Sequence, residues 1–215
     1  MKALLVGGSG MIGSLIIEQC LHSEHINEVI SLVRKPSTQN HHKLTQIIIQ
    51  DFEEYTDIND IFQNVAVGFF CIGAYTGQVS NDVFKKITVD YAVAFASALK
   101  RNSQVANLCM LSGAGADRTE KSRTAFARFK GMAENQISEL EMTFFSFRPA
   151  YIYPVSPRKE PNLMYRISRI LYPLIKLFGK NASIKSTELA KAMFHVGLNG
   201  ADMEILENKD ILEHV

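Results

Sequence analysis

Cysteine is scarce and poorly placed for cross-linking or metal chemistry. The 215-residue chain holds three, Cys20, Cys71 and Cys109, odd in number, far apart and set in apolar stretches. With no C-x-x-C spacing, the pattern argues against a disulfide framework or a thiolate metal site and for buried thiols in a reducing compartment. Histidine offers no substitute. Its one cluster, His41-His42, lies in a polar loop without Cys, Asp or Glu ligands close by, and reads as solvated rather than metal-bound. Excess charge of either sign is also missing. The net charge of +1 gives no broad electrostatic footprint for nucleic acid. No stretch reaches the ~20 apolar residues of a membrane span. The first strand starts almost at residue 1, leaving no room for a signal peptide, so a cytoplasmic protein is expected. No internal repeat or low-complexity tract appears. With 47% hydrophobic and 21% charged residues, the composition suits an ordinary globular chain with a core of its own. Its length fits a single domain over residues 1–215.

What is present is concentrated at the start. Ala3-Leu4-Leu5-Val6 is a short apolar run of the kind a buried strand makes. Gly7-Gly8-Ser9-Gly10-Met11-Ile12-Gly13 comes at once after it, and Leu15-Ile16-Ile17 opens a helical pattern reaching about Leu21. Strand, glycine turn and helix are the context in which such a motif holds a dinucleotide. Gly7 permits the tight turn, Gly10 lets the backbone approach a pyrophosphate, and Gly13 lets the helix pack close to the strand. The free N–H groups of Ser9, Met11, Ile12 and their neighbours at the helix start are then offered to the anion. The spacing is G-x-x-G-x-x-G rather than G-x-G-x-x-G.

A second buried strand, residues 29–33, ends at Arg34, which lies 21 residues beyond Gly13. An NAD-selective site places an acid near there, on the ribose 2′-hydroxyl. No acid occurs from Leu32 to Thr38, and a guanidinium at this point can pair a 2′-phosphate. Such a charge-assisted bond is worth ~1.5–3 kcal/mol, or one to two decades in favour of NADP(H) over NAD(H). A third strand over 46–50 leads to Asp51 and Phe52, placed to flank the adenine, Asp51 by hydrogen bonding and Phe52 by packing. Residues 57–64 read as a short helix. The fourth strand runs over 65–72, bringing Cys71 and Ile72 to the crevice, and closes at Gly73-Ala74, where a glycine lets backbone approach the cofactor. Tyr75 to Gly77 continue the loop over the site.

Residues 82–101 form a long helix whose apolar positions Val83, Ile87, Tyr91, Phe95 and Leu99 recur every four residues, a stripe assigned to core packing alone. A fifth strand (105–111), a helix (122–138) and a sixth strand (142–147, ending Arg148-Pro149) complete the alternation. The expectation is α/β, a Rossmann-like doubly wound parallel sheet. From Tyr151 the alternation breaks. Pro154, Pro157 and Pro161 stiffen a loop, and an apolar segment to Phe178 carries Arg166, Arg169, Lys176 and Lys180. A small C-terminal lid over about 154–185, or a homodimer face, is favoured over a membrane-surface segment. Ser186 reads as the N-cap of a last helix to Leu198, and Met203–Leu206 as a final short strand.

With these residues placed, the chain resembles the atypical short-chain dehydrogenase/reductases, and more narrowly the HIV Tat-interacting-protein-like NAD(P)-binding oxidoreductases. The resemblance is carried by the glycine turn, Gln50-Asp51-Phe52-Glu53, Val67 to Gly73, Leu111-Ser112, Gly115-Ala116-Asp117, Lys130-Gly131, Phe147-Arg148-Pro149, and Met203 to Lys209. It implies NADP(H) at the strand ends, with Gly73 and Ala74 lining the cofactor and Pro149 on the nicotinamide side. It also implies a catalytic Ser after the fifth strand and a Tyr-x-x-x-Lys on the next helix. Here Lys130 is present, but Phe126 stands in place of the Tyr. The Ser position fits Gly113, with Ser112 one residue short of it. In that chemistry the Tyr hydroxyl moves the proton, the Lys lowers its pKa and holds the nicotinamide ribose, and the Ser stabilises the oxyanion.

A second Tyr-x-x-x-Lys, Tyr172 to Lys176, contains Pro173 and reads as a chance match. Tyr75, Tyr151 and Tyr153 lie in loops at the carboxyl edge, with Tyr151 the first choice to replace the missing hydroxyl, against packing roles for all three. Arg148 reads equally as a structural partner for a carboxylate beneath the site. Two functions are therefore in view. One is an NADPH-dependent oxidoreductase on a small-molecule substrate with a displaced proton donor. The other is a non-catalytic NADP(H)-binding protein that reports cofactor state to a protein partner.

Overall fold

A computed structural model describes residues 1–74, 77–156, 167, 169–173 and 179–215, and the backbone alone of 174 and 175. Seven strands form one parallel sheet in the order β3-β2-β1-β4-β5-β6-β9: β1 (Lys2–Val6), β2 (Glu28–Val33), β3 (Leu44–Ile48), β4 (Val65–Phe70), β5 (Asn107–Leu111), β6 (Phe144–Arg148) and β9 (Ile205–Glu207). Two further strands, β7 (Tyr151–Tyr153) and β8 (Ser183–Lys185), pair in parallel beside it. The helices are α1 (Met11–His22), α2 (Asn81–Lys85), α3 (Tyr91–Asn102), α4 (Ala125–Ser138), α5 (Tyr172–Ile175), α6 (Ser186–Asn199) and α7 (Asn208–Glu213). A 3₁₀ segment covers Thr56–Phe62.

Parallel strands carry helices on both faces, so their side chains are buried whichever way they point. Leu4, Val6, Ile30, Leu32, Phe70, Leu108 and Met110 face one core with α3 and α4. Ala3, Leu5, Val29, Val67, Phe69, Cys109 and Phe147 face the other, against α1 and α6. All three cysteines are reduced, and Cys20 and Cys109 are wholly buried.

Strand order reverses between β1 and β4. From β1 the chain moves outward through β2 and β3, and from β4 it moves the other way. The two strands end together, Val6 opposite Phe70, with Cys71 N–H donating to the Val6 carbonyl at 2.9 Å. Such a switch point leaves a crevice outside the strand ends.

Several elements differ from the sequence expectation. The third and sixth strands lie two residues away from their expected starts, at Leu44 and Phe144. The fifth begins at Asn107 because Val105 is almost fully exposed. Lys185, not Ser186, occupies the N-cap of α6. Its backbone N–H donates to Glu188 Oε2 at 3.0 Å, while Ser186 is the first helical residue and its Oγ accepts from Val155 N–H. The final strand is Ile205–Glu207 and pairs with β6. Tyr75, Thr76, residues 157–166 and 168, and residues 176–178 fall outside the described residues, and with them much of the expected lid and Lys176 of the second Tyr-x-x-x-Lys. Among the described residues, no helix is long and apolar enough to cross a membrane, and no cluster of His, Cys, Asp and Glu could hold a metal ion.

Candidate functional site

The glycine turn is shaped by contacts that no side chain would allow. Gly7 has φ +90°, and a Cβ there would lie 2.7 Å from the Cys71 carbonyl carbon. A Cβ on Gly13 would lie 2.2 Å from the Gly7 carbonyl oxygen. Gly10 N–H closes the turn onto that same oxygen at 2.9 Å, and Ser14 N–H donates to Gly10 to start α1. The helix thus begins directly beneath the crevice, its first N–H groups turned towards it.

A cavity of about 320 Å³ opens over this turn, lined by Gly7, Gly8, Ser9, Gly10, Leu32, Val33, Arg34, Gln50, Phe52, Cys71, Ile72, Gly73, Ile87 and Tyr91. It runs from the turn across the ends of β2 and β3. Arg34 is exposed at the end of β2, and among the described residues no carboxylate pairs with it. Phe52 is 4% exposed and contributes to the wall. Asp51 is not a lining residue. Its Oδ1 accepts the Glu53 N–H at 3.0 Å, closing its own turn, and Gln50 faces the cavity instead. Cys71, Ile72 and Gly73 form the floor from β4, with the Cys71 thiol pushed up to about 12 by burial, against a smaller opposing pull from Lys130. A thiol so disposed is a neutral wall group rather than a nucleophile.

A second cavity of about 350 Å³ lies on the other side of the turn, between Ser9, Gly10, Met11, Ser14 and Leu15 and the residues Pro154, Ser156 and Ser186. Met11 thus lies at this second opening. The Ile12 side chain is buried in the core beneath α1, leaving its backbone at the helix start. Ala74 packs against the α3 side of the sheet. Pro149 is buried and its carbonyl accepts the Ala114 N–H at 2.9 Å, tying the exits of β5 and β6 together.

On the β5–β6 side the candidate catalytic residues are committed to partners. Ser112 Oγ donates to Glu134 Oε1 at 2.7 Å, as does Ser146 Oγ. Arg148 pairs with Glu134 and, at 3.0 Å, with Glu207. Arg118 joins Glu134 at 3.2 Å and also reaches Glu204. Burial acts to raise the Glu134 pKa, but hydrogen bonds from Arg148, Ser112 and Ser146 outweigh it and hold the carboxyl below its ordinary value. Arg148 is therefore the partner of a buried carboxylate beneath the site, and Ser112 shares that carboxylate.

Phe126 and Gly113 are locked together. A Cβ on Gly113 would sit 2.5 Å from the Cζ of Phe126. The ring fills the space that a serine side chain at 113 would need, so the missing hydroxyls at 113 and 126 are one packing event. Lys130, one turn further along α4, is 6% exposed and its Nζ donates to the Leu111 carbonyl at 2.8 Å. Burial lowers its pKa from 10.5 to about 8, with Glu134 and Cys71 pulling the other way. Tyr151 on β7 lines neither cavity, and its ring faces Tyr172 at 6.5 Å. Tyr153 stacks on Tyr172 at 3.9 Å.

Residues missed from the sequence divide into two kinds. Leu32, Val33 and Gln50 sit beside strand-end residues already singled out, and the adjacency was the available signal. Periodicity assigns Ile87 and Tyr91 to the core, and local sequence carries no mark of their position at the cavity.

A parallel, doubly wound sheet with a glycine turn and a cavity at its switch point defines a dinucleotide-binding α/β protein. Similarity to known proteins narrows this. The family model described as NAD(P)H-binding matches residues 7–168, and the chain belongs to that family. No curated protein matches the sequence. Among solved structures, the Bordetella bronchiseptica enzyme WbmH in complex with NAD+ superposes with a TM-score of 0.71 at 16% identity, over 96% of this chain and 74% of the other. Gre2 from Candida albicans in complex with NADPH gives 0.71 at 15%, over 96% and 77%. UDP-N-acetylglucosamine 4-epimerase from Bacillus cereus gives 0.70 at 14%, over 99% and 83%. At these identities the likeness is one of fold alone.

Proposed function

We propose that the protein binds NADP(H) in preference to NAD(H) and is an atypical oxidoreductase of the HIV Tat-interacting-protein-like kind, with a catalytic set degenerate at Phe126. The observation that carries this reading is Arg34, a guanidinium on the wall of the dinucleotide cavity with no carboxylate partner among the described residues. The site fits the cofactor, because Gly7 and Gly13 allow close backbone contacts that any Cβ would break, and these hold the turn and the start of α1 against the crevice. The N–H groups at the start of α1 would hold the pyrophosphate, and Arg34 would pair the 2′-phosphate. Lys130, its pKa lowered by burial to about 8, would hold the nicotinamide ribose from the buried side. When bound there, NADP(H) would supply the hydride chemistry, acting on a small carbonyl-type substrate. Tyr151, the sequence's first choice for the missing phenol, lines neither described cavity and its hydroxyl is buried, so the proton carrier is not assigned to it.

A second reading, a non-catalytic NADP(H)-binding protein acting through a protein partner, is favoured by one observation. Ser112 gives its hydroxyl to Glu134, and Phe126 covers Gly113, so neither usual hydroxyl faces the cleft. Parallel fluorescence titrations with NADPH and NADH test the shared part. Tighter NADPH binding, with the preference erased in Arg34→Glu, is expected, and an unchanged ratio refutes the role of Arg34. Phe126→Tyr separates the two readings. A rise in NADPH oxidation across a panel of carbonyls supports the oxidoreductase, and no rise favours the partner-binding protein.

A further inference from the structure

Glu134, on α4, is wholly buried beneath the exits of β5 and β6, and its carboxylate accepts five hydrogen bonds from four side chains. Oε1 takes the hydroxyls of Ser112 and Ser146, each at 2.7 Å, and Arg148 Nε at 3.0 Å. Oε2 takes Arg118 Nε at 3.2 Å and a second nitrogen of Arg148. One side chain thereby fastens α4 to the ends of two neighbouring strands. Buried ion clusters of this kind add little net stability over apolar packing, which leaves the choice of a carboxylate here to be explained.

Lys130 stands one turn before Glu134, four residues away on the same face of α4. Its Nζ donates to the Leu111 carbonyl at 2.8 Å, while Glu134 takes the hydroxyl of the very next residue, Ser112. Successive turns of α4 thus hold successive residues at the exit of β5. The Leu111 carbonyl is the one hydrogen-bond acceptor of Lys130 among the described residues, and an ammonium carries three donors. Glu134 and Cys71 are the groups that counter the effect of burial on this ammonium. With its thiol pushed up to about 12, Cys71 is neutral at ordinary pH, which leaves Glu134 as the counter-charge. The other charges of the cluster are engaged: Arg118 and Arg148 pair with Glu134 itself, and with Glu204 and Glu207.

We propose that Glu134 is a positioning residue for Lys130, its buried carboxylate keeping the ammonium charged and the exit of β5 fixed, so that the remaining N–H donors of Lys130 meet the ribose on the nicotinamide side of the dinucleotide. The inference rests on the cofactor reading above and adds to it the group through which Lys130 is held ready.

The test is calorimetric titration of the full chain, from about pH 6 to 9.5, with NADPH and with adenosine 2′,5′-bisphosphate, which has no nicotinamide ribose. In wild type, NADPH affinity falls relative to the bisphosphate as pH rises through about 8, where Lys130 gives up its proton. Glu134→Gln removes the counter-charge, and the fall moves about one to two units lower. At pH 7.5 the variant binds NADPH about 3- to 10-fold more weakly than wild type, its bisphosphate affinity is unchanged, and the gap narrows towards pH 6. Glu134→Asp keeps the charge and restores the wild-type profile. Equal weakening of both ligands at every pH is a structural effect and overturns the inference, as does an unmoved profile in Glu134→Gln. Should Glu134→Gln not fold, wild type and Glu134→Asp decide. No pH-dependent difference between the two ligands in wild type, or a fall at least a unit lower in Glu134→Asp, then overturns it. A wild-type protein that binds neither NADPH nor NADH overturns the cofactor reading and this one with it. NADPH binding with an unmoved profile overturns this one alone.

Discussion

Lys130 places an ammonium group where the fold would be more stable without it. Its pKa falls from 10.5 to about 8 because burial penalises the charged form more than Glu134 and Cys71 restore it. A drop of that size corresponds to a cost of about 3 kcal/mol at pH 7. Methionine has similar length and no charge. Lys130→Met forfeits the hydrogen bond to the Leu111 carbonyl, worth about 1 kcal/mol, so the net gain at pH 7 is about 2 kcal/mol.

The gain depends on pH in a defined direction. Below about 8 both the folded and the unfolded chain hold the proton, and the full penalty stands. Between about 8 and 10.5 the folded chain has released it while the unfolded chain still binds it, so wild-type stability from this group rises with pH. Urea denaturation of wild type and variant at pH 7 and pH 10, taken as the difference between the two proteins, measures this. A higher urea midpoint for the variant at pH 7 that vanishes by pH 10 is expected. A variant no more stable at pH 7, or equally advantaged at both, refutes the argument that burial dominates. A confirmed penalty would also say that the lysine is retained against the interests of the fold.

Glu134→Gln leaves the partly buried guanidinium of Arg148 without its main partner and should cost ~3 kcal/mol, read as a lower urea midpoint. Because the Glu134 carboxyl is held below its ordinary 4.5, its contribution is present above that value and is lost as pH falls through the lowered one. Acid titration of wild type and variant should therefore converge only in strong acid. Gly113→Ala drives a methyl into the Phe126 ring and should destabilise by ~1–3 kcal/mol. Adding Phe126→Leu should restore much of the thermal midpoint, and strict additivity of the two changes would refute the interlock.

The parallel α/β fold and the dinucleotide turn were legible because both are local. Apolar runs of strand length alternate with helical patterns, and Gly7, Gly10 and Gly13 sit at the junction where chain geometry demands them. The place of Arg34 on the cavity wall was legible for the same reason, by its distance from the turn and its position at a strand end. Tertiary structure decided the rest. The Gly113–Phe126 interlock joins two segments that only packing brings together, and Ser112 meets Glu134 across 22 residues of sequence. Ile87 and Tyr91 belong to the same four-residue stripe as the buried Phe95 and Leu99, yet they line the cavity, and only packing decides where along the stripe the core ends. Periodicity reads which side of an unbroken helix is apolar. It does not read what each turn of that side meets, and only the packed structure records that.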